Sequence, residues 1–264
     1  MFPKLITIGS SFFIPTYGTL VAIGFLLGLW ITVRLAKQAK LPAEPVTNLA
    51  IYCALAGLAG AKLFMILFDF RDYWDGSKKL LSLDTLQAAG VFQGGFVLAL
   101  ITAILYIRRN RLPGFQTCDV FTPGLALGQA IGRIGCFSAG CCWGVECHLP
   151  WAVTFRNPQA WNLTGVPIGI PLHPTQLYES FADGIIFALL YYLISRPHTP
   201  GAILGWYLAL YSSARFVIEF FRYHEQGLHA GLSYTQWISL ATLACGIALL
   251  LARRHSEPKL ALST

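Results

Sequence analysis

Charged side chains are scarce in this sequence. They make up 12% of its 264 residues, about half the share found in an ordinary globular protein. Hydrophobic residues make up 55%, so a water-soluble fold of this chain would expose large apolar patches and aggregate. The composition therefore excludes a soluble domain and favours a membrane protein, whose outer face is solvated by lipid.

The sequence also lacks an internal repeat, a low-complexity tract and a recognisable linker. No basic segment precedes the first apolar run and no small-residue cleavage site follows it, so we expect an uncleaved anchor rather than a removed signal peptide. Basic patches interleaved with aromatic residues are missing too, and the basic runs near span ends are typical of anchors beside anionic lipid. We therefore predict a single polytopic membrane domain over residues 1–264 with no nucleic-acid partner.

Seven windows are apolar and long enough to cross a bilayer, which takes roughly 17–25 residues. We accordingly predict an all-α membrane protein with about seven transmembrane helices. The fourth window is the weakest, because it contains Pro123, Gln129 and Arg133. The windows cover residues 17–35, 48–68, 88–107, 120–137, 177–194, 202–221 and 234–251.

The distribution of Lys and Arg predicts the orientation of these spans. If the N-terminus lies outside, ten basic residues fall on the inner side and six on the outer side, with Arg222 among the six. This bias favours an outer N-terminus and a cytoplasmic C-terminus. Residues 138–176 then form an outer segment rich in aromatic residues and proline. Because aromatic rings prefer the membrane–water interface, we expect this segment to form an extracytoplasmic cap.

Charged residues inside the predicted spans are candidates for function, because each costs at least about a few kcal/mol unless it is paired or hydrated. Arg215, Glu219 and Arg222 have spacings that place them on one stripe of a helix. Arg133 lies among glycines and has no acidic residue within helical reach. Two arginines facing one cavity suit a phosphate group. The alternative for Arg215 and Glu219 is an ion pair that only holds helices together.

Four cysteines cluster on the predicted outer side, at Cys136, Cys141, Cys142 and Cys147. Their spacing matches no standard zinc ribbon. A disulfide with Cys147 as one partner, packing of reduced thiols, a metal site and a nucleophilic thiol near Arg133 all remain open.

Taken together, the motifs resemble those of the prolipoprotein diacylglyceryl transferases of bacterial inner membranes. The resemblance covers nearly the whole chain in order, and HPTQLYE at residues 173–179 is close to the family's HPSQLYE. The other matching segments are IPTYGTLVAIGF, GAKLFMILFD, VFQGGF, CDVFTPGLALGQAIGRIGCFSAGCCWG, RFVIEFFR and LSYTQW.

The resemblance implies transfer of a diacylglyceryl group from phosphatidylglycerol to the thiol of a lipobox cysteine in a prolipoprotein, without metal or cofactor. A thiol would attack a glyceryl carbon, and glycerol phosphate would leave. By position, Arg133 and Arg215 would hold the phosphate while Glu219 orients Arg215. Tyr17 and Gly144 would line the lipid site.

The sequence departs from the family pattern at several positions. Gln93 replaces a histidine and cannot accept the thiol proton, which leaves His173 or no protein base. Cys136, Ala139 and Cys141 replace asparagine, asparagine and glutamate of the family signature. A divergent relative with a different acceptor or lipid donor, or a phospholipid-binding membrane module without turnover, are therefore the alternatives.

Overall fold

The computed structural model describes residues 4–8, 12–75, 90–223 and 227–254. Within these ranges the chain is mostly helical and divides into two compact units, Met1–Lys40 with Cys118–Thr264, and Leu41–Thr117. The helices are α1 (Thr16–Gln38), α2 (Ala43–Phe68), α3 (Phe70–Trp74), α4 (Phe92–Arg109), α5 (Gly114–Ala139), α6 (Pro158–Thr164), α7 (Thr175–Ile194), α8 (Ala202–Glu219) and α9 (Tyr234–Arg254). The strands are β1 (Lys4–Ile8), β2 (Phe12–Pro15), β3 (Val153–Thr154) and β4 (Pro171–Leu172).

Five of the described helices are long and apolar enough to cross a membrane, namely α1, α2, α4, α7 and α9. The other two predicted windows are helical as well and fall in α5 and α8. These two helices carry Arg133, Arg215 and Glu219, and they are not among the five candidates. The chain is thus a mostly helical membrane protein, with five candidate spanning helices among the residues that the structure describes.

Two antiparallel strand pairs are departures from the predicted all-α fold. β1 pairs with β2 before the first long helix. β3 pairs with β4 inside the segment that we predicted to be a cap. Short strands of this kind are invisible to a search for apolar windows, because each has five residues or fewer.

Glycines set the packing of α1 against α5 in the first unit. A Cβ added at Gly28 would lie 2.6 Å from the carbonyl oxygen of Gly124, and one added at Gly24 would lie 3.0 Å from that of Gly128. The hydroxyl of Thr32 is buried at this contact and donates to the Gly28 carbonyl at 2.9 Å. Small residues let helix backbones approach closely where lipid removes the hydrophobic drive for association.

The segment that follows α5 has a small core of its own. Phe155, Ala160, Val166 and Leu172 are buried together, and Phe137 packs its ring against that of Phe155. Helix α6 lies in this segment. The side chain of its N-cap residue Asn157 accepts from the Gln159 amide, and the helix ends at Gly165 in a left-handed conformation, both of which are common helix-terminus devices.

The second unit contains α2, α3 and α4. A Cβ at Gly60 would lie 2.5 Å from the carbonyl oxygen of Gly94 on α4, and one at Gly95 would lie 2.7 Å from that of Gly57. The backbone amide of Val91, just before α4, donates to the Ala61 carbonyl at 2.9 Å. Backbone fit therefore sets the distance between α2 and α4.

Candidate anion site

A single buried carboxylate forms ion pairs with three arginines in the first unit. Glu179 lies in the first turns of α7 and is buried. Its Oε1 is 3.0 Å from Nη1 of Arg215 and 3.4 Å from Nη1 of Arg222, and its Oε2 pairs with Nε of Arg133. The arginines come from α5, from α8 and from the residues just after α8. The cluster of Arg133, Glu179, Arg215 and Arg222 is called the arginine cluster below.

A second carboxylate supports Arg215 from its own helix. Nη2 of Arg215 lies 2.8 Å from Oε2 of Glu219, four residues further along α8. The hydroxyl of Ser233 donates to Oε1 of Glu219 at 3.1 Å, and the Ser233 amide donates to the side chain of Gln236 at 2.9 Å. The pair predicted from helical spacing is therefore present, and the start of α9 holds its carboxylate in place.

Backbone pairing holds Arg222 in the cluster. Gly144 forms a bridge with Arg222, and its amide donates to the carbonyl of His173 at 3.0 Å. The next amide, of Val145, donates to the carbonyl of Phe221 at 2.9 Å. A Cβ at Gly144 would lie 2.5 Å from the Cβ of His173 and closer still to the Phe221 carbonyl oxygen. Only glycine fits at this position.

The arginine side chains of the cluster are more exposed than the carboxylates that they contact. The side chains of Arg133, Arg215 and Arg222 are 23%, 11% and 19% exposed, whereas those of Glu179 and Glu219 are 6% and 4% exposed. The three guanidinium groups of the cluster thus share two carboxylates, those of Glu179 and of Glu219 beside it. These five groups together carry a net charge of +1. Such a partly open cationic surface can bind an anion through charge-assisted and bidentate hydrogen bonds.

The predicted site residues are divided between the two units. Tyr17 lies in the first turn of α1, close to α5, and a Cβ at Gly135 would lie 3.3 Å from its ring. Nδ1 of His173 is 3.0 Å from the hydroxyl of Tyr178, and its ring packs on that of Phe221. Gln93 lies in the first turn of α4, in the second unit.

The cysteines require a correction. All seven lie in the described ranges and all are free thiols, so the disulfide with Cys147, one of the alternatives that the sequence left open, is not formed in this structure. The sulfur of Cys147 accepts from the amide of Leu149 at 3.4 Å. The sulfurs of Cys136, Cys141 and Cys142 instead lie within 4.8 Å of one another. These three residues are called the thiol cluster.

Hydrogen bonding within the thiol cluster divides its members. The pKa of the Cys142 thiol is lowered from its ordinary value, because the thiols of Cys136 and Cys141 hydrogen-bond to it and because Arg222 and Arg133 favour a thiolate. The pKa of Cys141 is raised, since its interactions with Cys136 and Cys142 and its burial favour the protonated thiol, and its sulfur donates to the carbonyl of Cys136 at 3.7 Å. Two arginines of the arginine cluster therefore also act electrostatically on the thiol cluster.

Glu179 is the central residue that sequence analysis missed. It pairs with Arg133 from another helix, so the absence of an acid within helical reach of Arg133 did not mean that the arginine lacks a partner. Arg222, counted from sequence with the outer-side charges, belongs to the same cluster. The available signal was a pair of acids four residues apart in the fifth window, Glu179 and Asp183, both of which are buried.

The fold and the site define a class, a multi-pass helical membrane protein with a partly open arginine cluster. The family model for prolipoprotein diacylglyceryl transferase matches residues 3–252. Relatives named phosphatidylglycerol–prolipoprotein diacylglyceryl transferase include one from Methylobacillus flagellatus, 33% identical over 94% of this chain and 95% of the relative. Another, from Finegoldia magna, is 32% identical over 88% of each chain, and one from Photobacterium profundum is 32% identical over 98% of this chain and 96% of the relative. This chain belongs to the prolipoprotein diacylglyceryl transferase family.

Proposed function

We propose that this protein transfers a diacylglyceryl group from phosphatidylglycerol to the thiol of a lipobox cysteine in a prolipoprotein. The observation that supports this most directly is the arginine cluster. In the reaction a carbon–sulfur bond forms at the glyceryl carbon, the bond from that carbon to the phosphate oxygen breaks, and glycerol phosphate leaves. The thiol proton passes to the leaving phosphate or to solvent.

The charge of the arginine cluster suits this leaving group. A phosphodiester carries one negative charge, and a second develops on the departing oxygen as the carbon–oxygen bond breaks. Arg133 and Arg215 would bind the phosphate oxygens, and stabilisation of charge that grows in the transition state is the interaction that raises the rate. Glu179 and Glu219 orient the guanidinium groups, which reduces the cost of arranging them during the reaction.

An apolar groove beside the cluster suits the acyl chains of the donor. The groove has a volume of about 600 Å³ and lies between α7 and α8. Its wall includes Phe181, Val217 and Phe221, and Ala214, next to Arg215 in sequence, also faces it. A phospholipid with its phosphate on the arginines can place apolar chains in such a groove, against its apolar side chains.

The proposed placement of the chain in the membrane follows from its charges. Helices α5 and α8 complete a set of seven spans, with the N-terminus outside and the C-terminus in the cytoplasm of a bacterial inner membrane. Residues 138–176 are then the extracytoplasmic cap, on the side where a prolipoprotein would arrive. Tyr17 and Gly144 line the lipid site in this proposal, and His173 and Gln93 stay candidates for contact with the acceptor.

Neutralising the arginines tests the proposed function. Arg133→Gln and Arg215→Gln should each slow lipidation of a lipobox peptide in membranes by on the order of a hundredfold or more, equivalent to about 2–4 kcal/mol of transition-state stabilisation. Arg156→Gln is the matched control, because Arg156 is exposed. Normal transfer by both cluster variants would contradict a phosphate-binding role.

The departures at Gln93, Cys136 and Cys141 favour a second candidate, a transferase with a different acceptor or lipid donor. Gln93→His separates the two. If the acceptor is a lipobox cysteine, restoring histidine should preserve or speed transfer and flatten its pH dependence between roughly pH 6 and 9, a range that brackets a thiol pKa of about 8.5. If neither wild type nor Gln93→His modifies a lipobox peptide while the wild type still binds phosphatidylglycerol, the divergent candidate is supported.

A further inference from the structure

The thiol cluster has a geometry that the proposed transfer does not explain. Cys136 lies in the last turn of α5, and Cys141 and Cys142 follow the end of that helix. Their three sulfurs lie within 4.8 Å of one another. Thiolates bound to one zinc ion at about 2.3 Å are separated from each other by about 3.8 Å, which falls within this limit.

The backbone of the cluster is held in place from two sides. The amide of Cys141 donates to the carbonyl of Cys136 at 3.2 Å. The carbonyl of Cys141 accepts from the side chain of Gln176 at 2.6 Å, and that of Cys142 accepts from the hydroxyl of Thr175 at 2.7 Å. Gln176 and Thr175 are fully buried. These contacts therefore hold the backbone from which the sulfurs of Cys141 and Cys142 project.

Cys142 adopts a backbone conformation that is unusual for its residue type. Its φ is +63°, in the left-handed region that residues with a Cβ seldom occupy. A strained backbone that neighbouring contacts maintain is typical of binding and catalytic sites. Here the conformation accompanies the convergence of Cys142 with Cys136 and Cys141.

Two alternatives account for the cluster less well. Adjacent residues such as Cys141 and Cys142 are poor disulfide partners, and any pair that includes Cys136 leaves a third thiol beside the bond. Packing of apolar thiols does not account for the convergence of three sulfurs or for the left-handed backbone of Cys142. Cysteine binds metals as the thiolate, and three converging sulfurs supply three such ligands.

We propose that Cys136, Cys141 and Cys142 form a binding site for a soft, thiophilic metal ion, coordinated as three thiolates. Binding of a zinc ion to three thiolates would release the protons that the thiols still carry and leave the site with one net negative charge, which the neighbouring arginines balance. Thiolate sites of this kind select zinc or monovalent copper over hard ions such as magnesium and calcium. The site goes beyond the transfer reaction, which uses the arginine cluster.

Metal titration of the reduced, full-length protein in detergent tests the proposal. After treatment with a chelator, Cd²⁺, Zn²⁺ and Cu⁺ are added separately under anaerobic conditions. Bound metal is counted by elemental analysis, and Cd²⁺–thiolate absorption reports the ligands. We expect one ion per chain, with loss of that ion in Cys136→Ser, Cys141→Ser and Cys142→Ser. Cys147→Ser is the matched control and should bind as the wild type does.

A further variant separates loss of a ligand from loss of the fold. Cys142→Gly removes the sulfur but suits the left-handed backbone at φ +63°, so it should unfold at the wild-type temperature or above and still lose the ion. Binding of Cu⁺ without Zn²⁺ would support the site and assign it to monovalent copper. The proposal is overturned if the reduced wild type binds none of the three ions, or if Cys147→Ser loses as much metal as the cluster variants.

Discussion

Two regions of this molecule solve the problem of packing helices without water in opposite ways. In the second unit, α2 and α4 approach through glycine, with Gly60 against the backbone of Gly94 and Gly95 against that of Gly57. In the first unit, α5, α7 and α8 meet through the arginine cluster, where one buried carboxylate contacts three guanidinium groups. One contact depends on the absence of side chains, and the other depends on long, charged ones.

The difference shows where each region can tolerate change. A glycine contact is short-ranged and steric, so it resists any added atom but is indifferent to charge. A buried ion network is sensitive to charge, since removal of one partner leaves the others desolvated and uncompensated. The first unit therefore accepts a costly arrangement that can bind an anion, which the glycine contact of the second unit cannot do.

The largest effect on stability and activity is expected at Glu179, whose carboxylate is shared by three arginines. Glu179→Gln would leave Arg133, Arg215 and Arg222 without their shared carboxylate. Loss of one partner from a buried network costs about 3–5 kcal/mol, so we expect a marked fall in thermal stability in detergent and loss of lipid transfer. Thermal unfolding followed by tryptophan fluorescence, together with a transfer assay in membranes, measures both.

Glu146→Gln is the control for that change, because the side chain of Glu146 is 60% exposed. It should leave both quantities unchanged. If Glu179→Gln unfolded at the wild-type temperature, the arginines would need no shared counterion, and the contrast between the two regions would fail.

The sequence predicted the helices and one ion pair, but not the contacts between residues on different helices, for a physical reason. Apolar windows and the spacing of Arg215 and Glu219 are local patterns, so the helices and that ion pair could be predicted. The contact between Arg133 and Glu179 joins residues on different helices, and no local pattern encodes it. Convergence of Cys136 with Cys141 and Cys142, rather than with Cys147, depends on a turn with left-handed residues that hydropathy does not reveal.

A steric test of the second unit should give a smaller effect. Gly60→Ala places a Cβ 2.5 Å from the carbonyl oxygen of Gly94 and 2.7 Å from the Cβ of Leu98. The helices must separate, and overpacking of this kind costs about 1–3 kcal/mol. Gly57→Ala is a control on the same helix, since its Cβ would lie 3.8 Å from the nearest atom. Thermal unfolding should distinguish the two, and an equal loss in both would show that backbone fit is not what holds α2 to α4.

The smallest effect on stability is expected at a contact between a charged side chain and helix backbone. Asp119 is buried on α5, and its carboxylate accepts from the backbone amides of Gly201 at 2.6 Å and Leu204 at 2.9 Å, at the N-terminus of α8. A carboxylate there satisfies unpaired amides and interacts favourably with the helix dipole. Asp119→Asn keeps one acceptor oxygen but removes the charge, so we expect a loss of about 1 kcal/mol in unfolding free energy.

The activity of the same variant decides how far the arginine cluster extends. Arg215 lies eleven residues beyond Leu204, about three helical turns along α8, and the field of a helix terminus falls off within its first turn. Asp119→Asn should therefore transfer lipid at nearly the wild-type rate at temperatures well below its unfolding. Asp119→Ala, which removes both acceptor oxygens, should lower stability further without a larger effect on the rate. If instead Asp119→Asn slowed transfer as much as Arg215→Gln does, the cap and the cluster would form one coupled polar network, and the charged region would be larger than its direct contacts indicate.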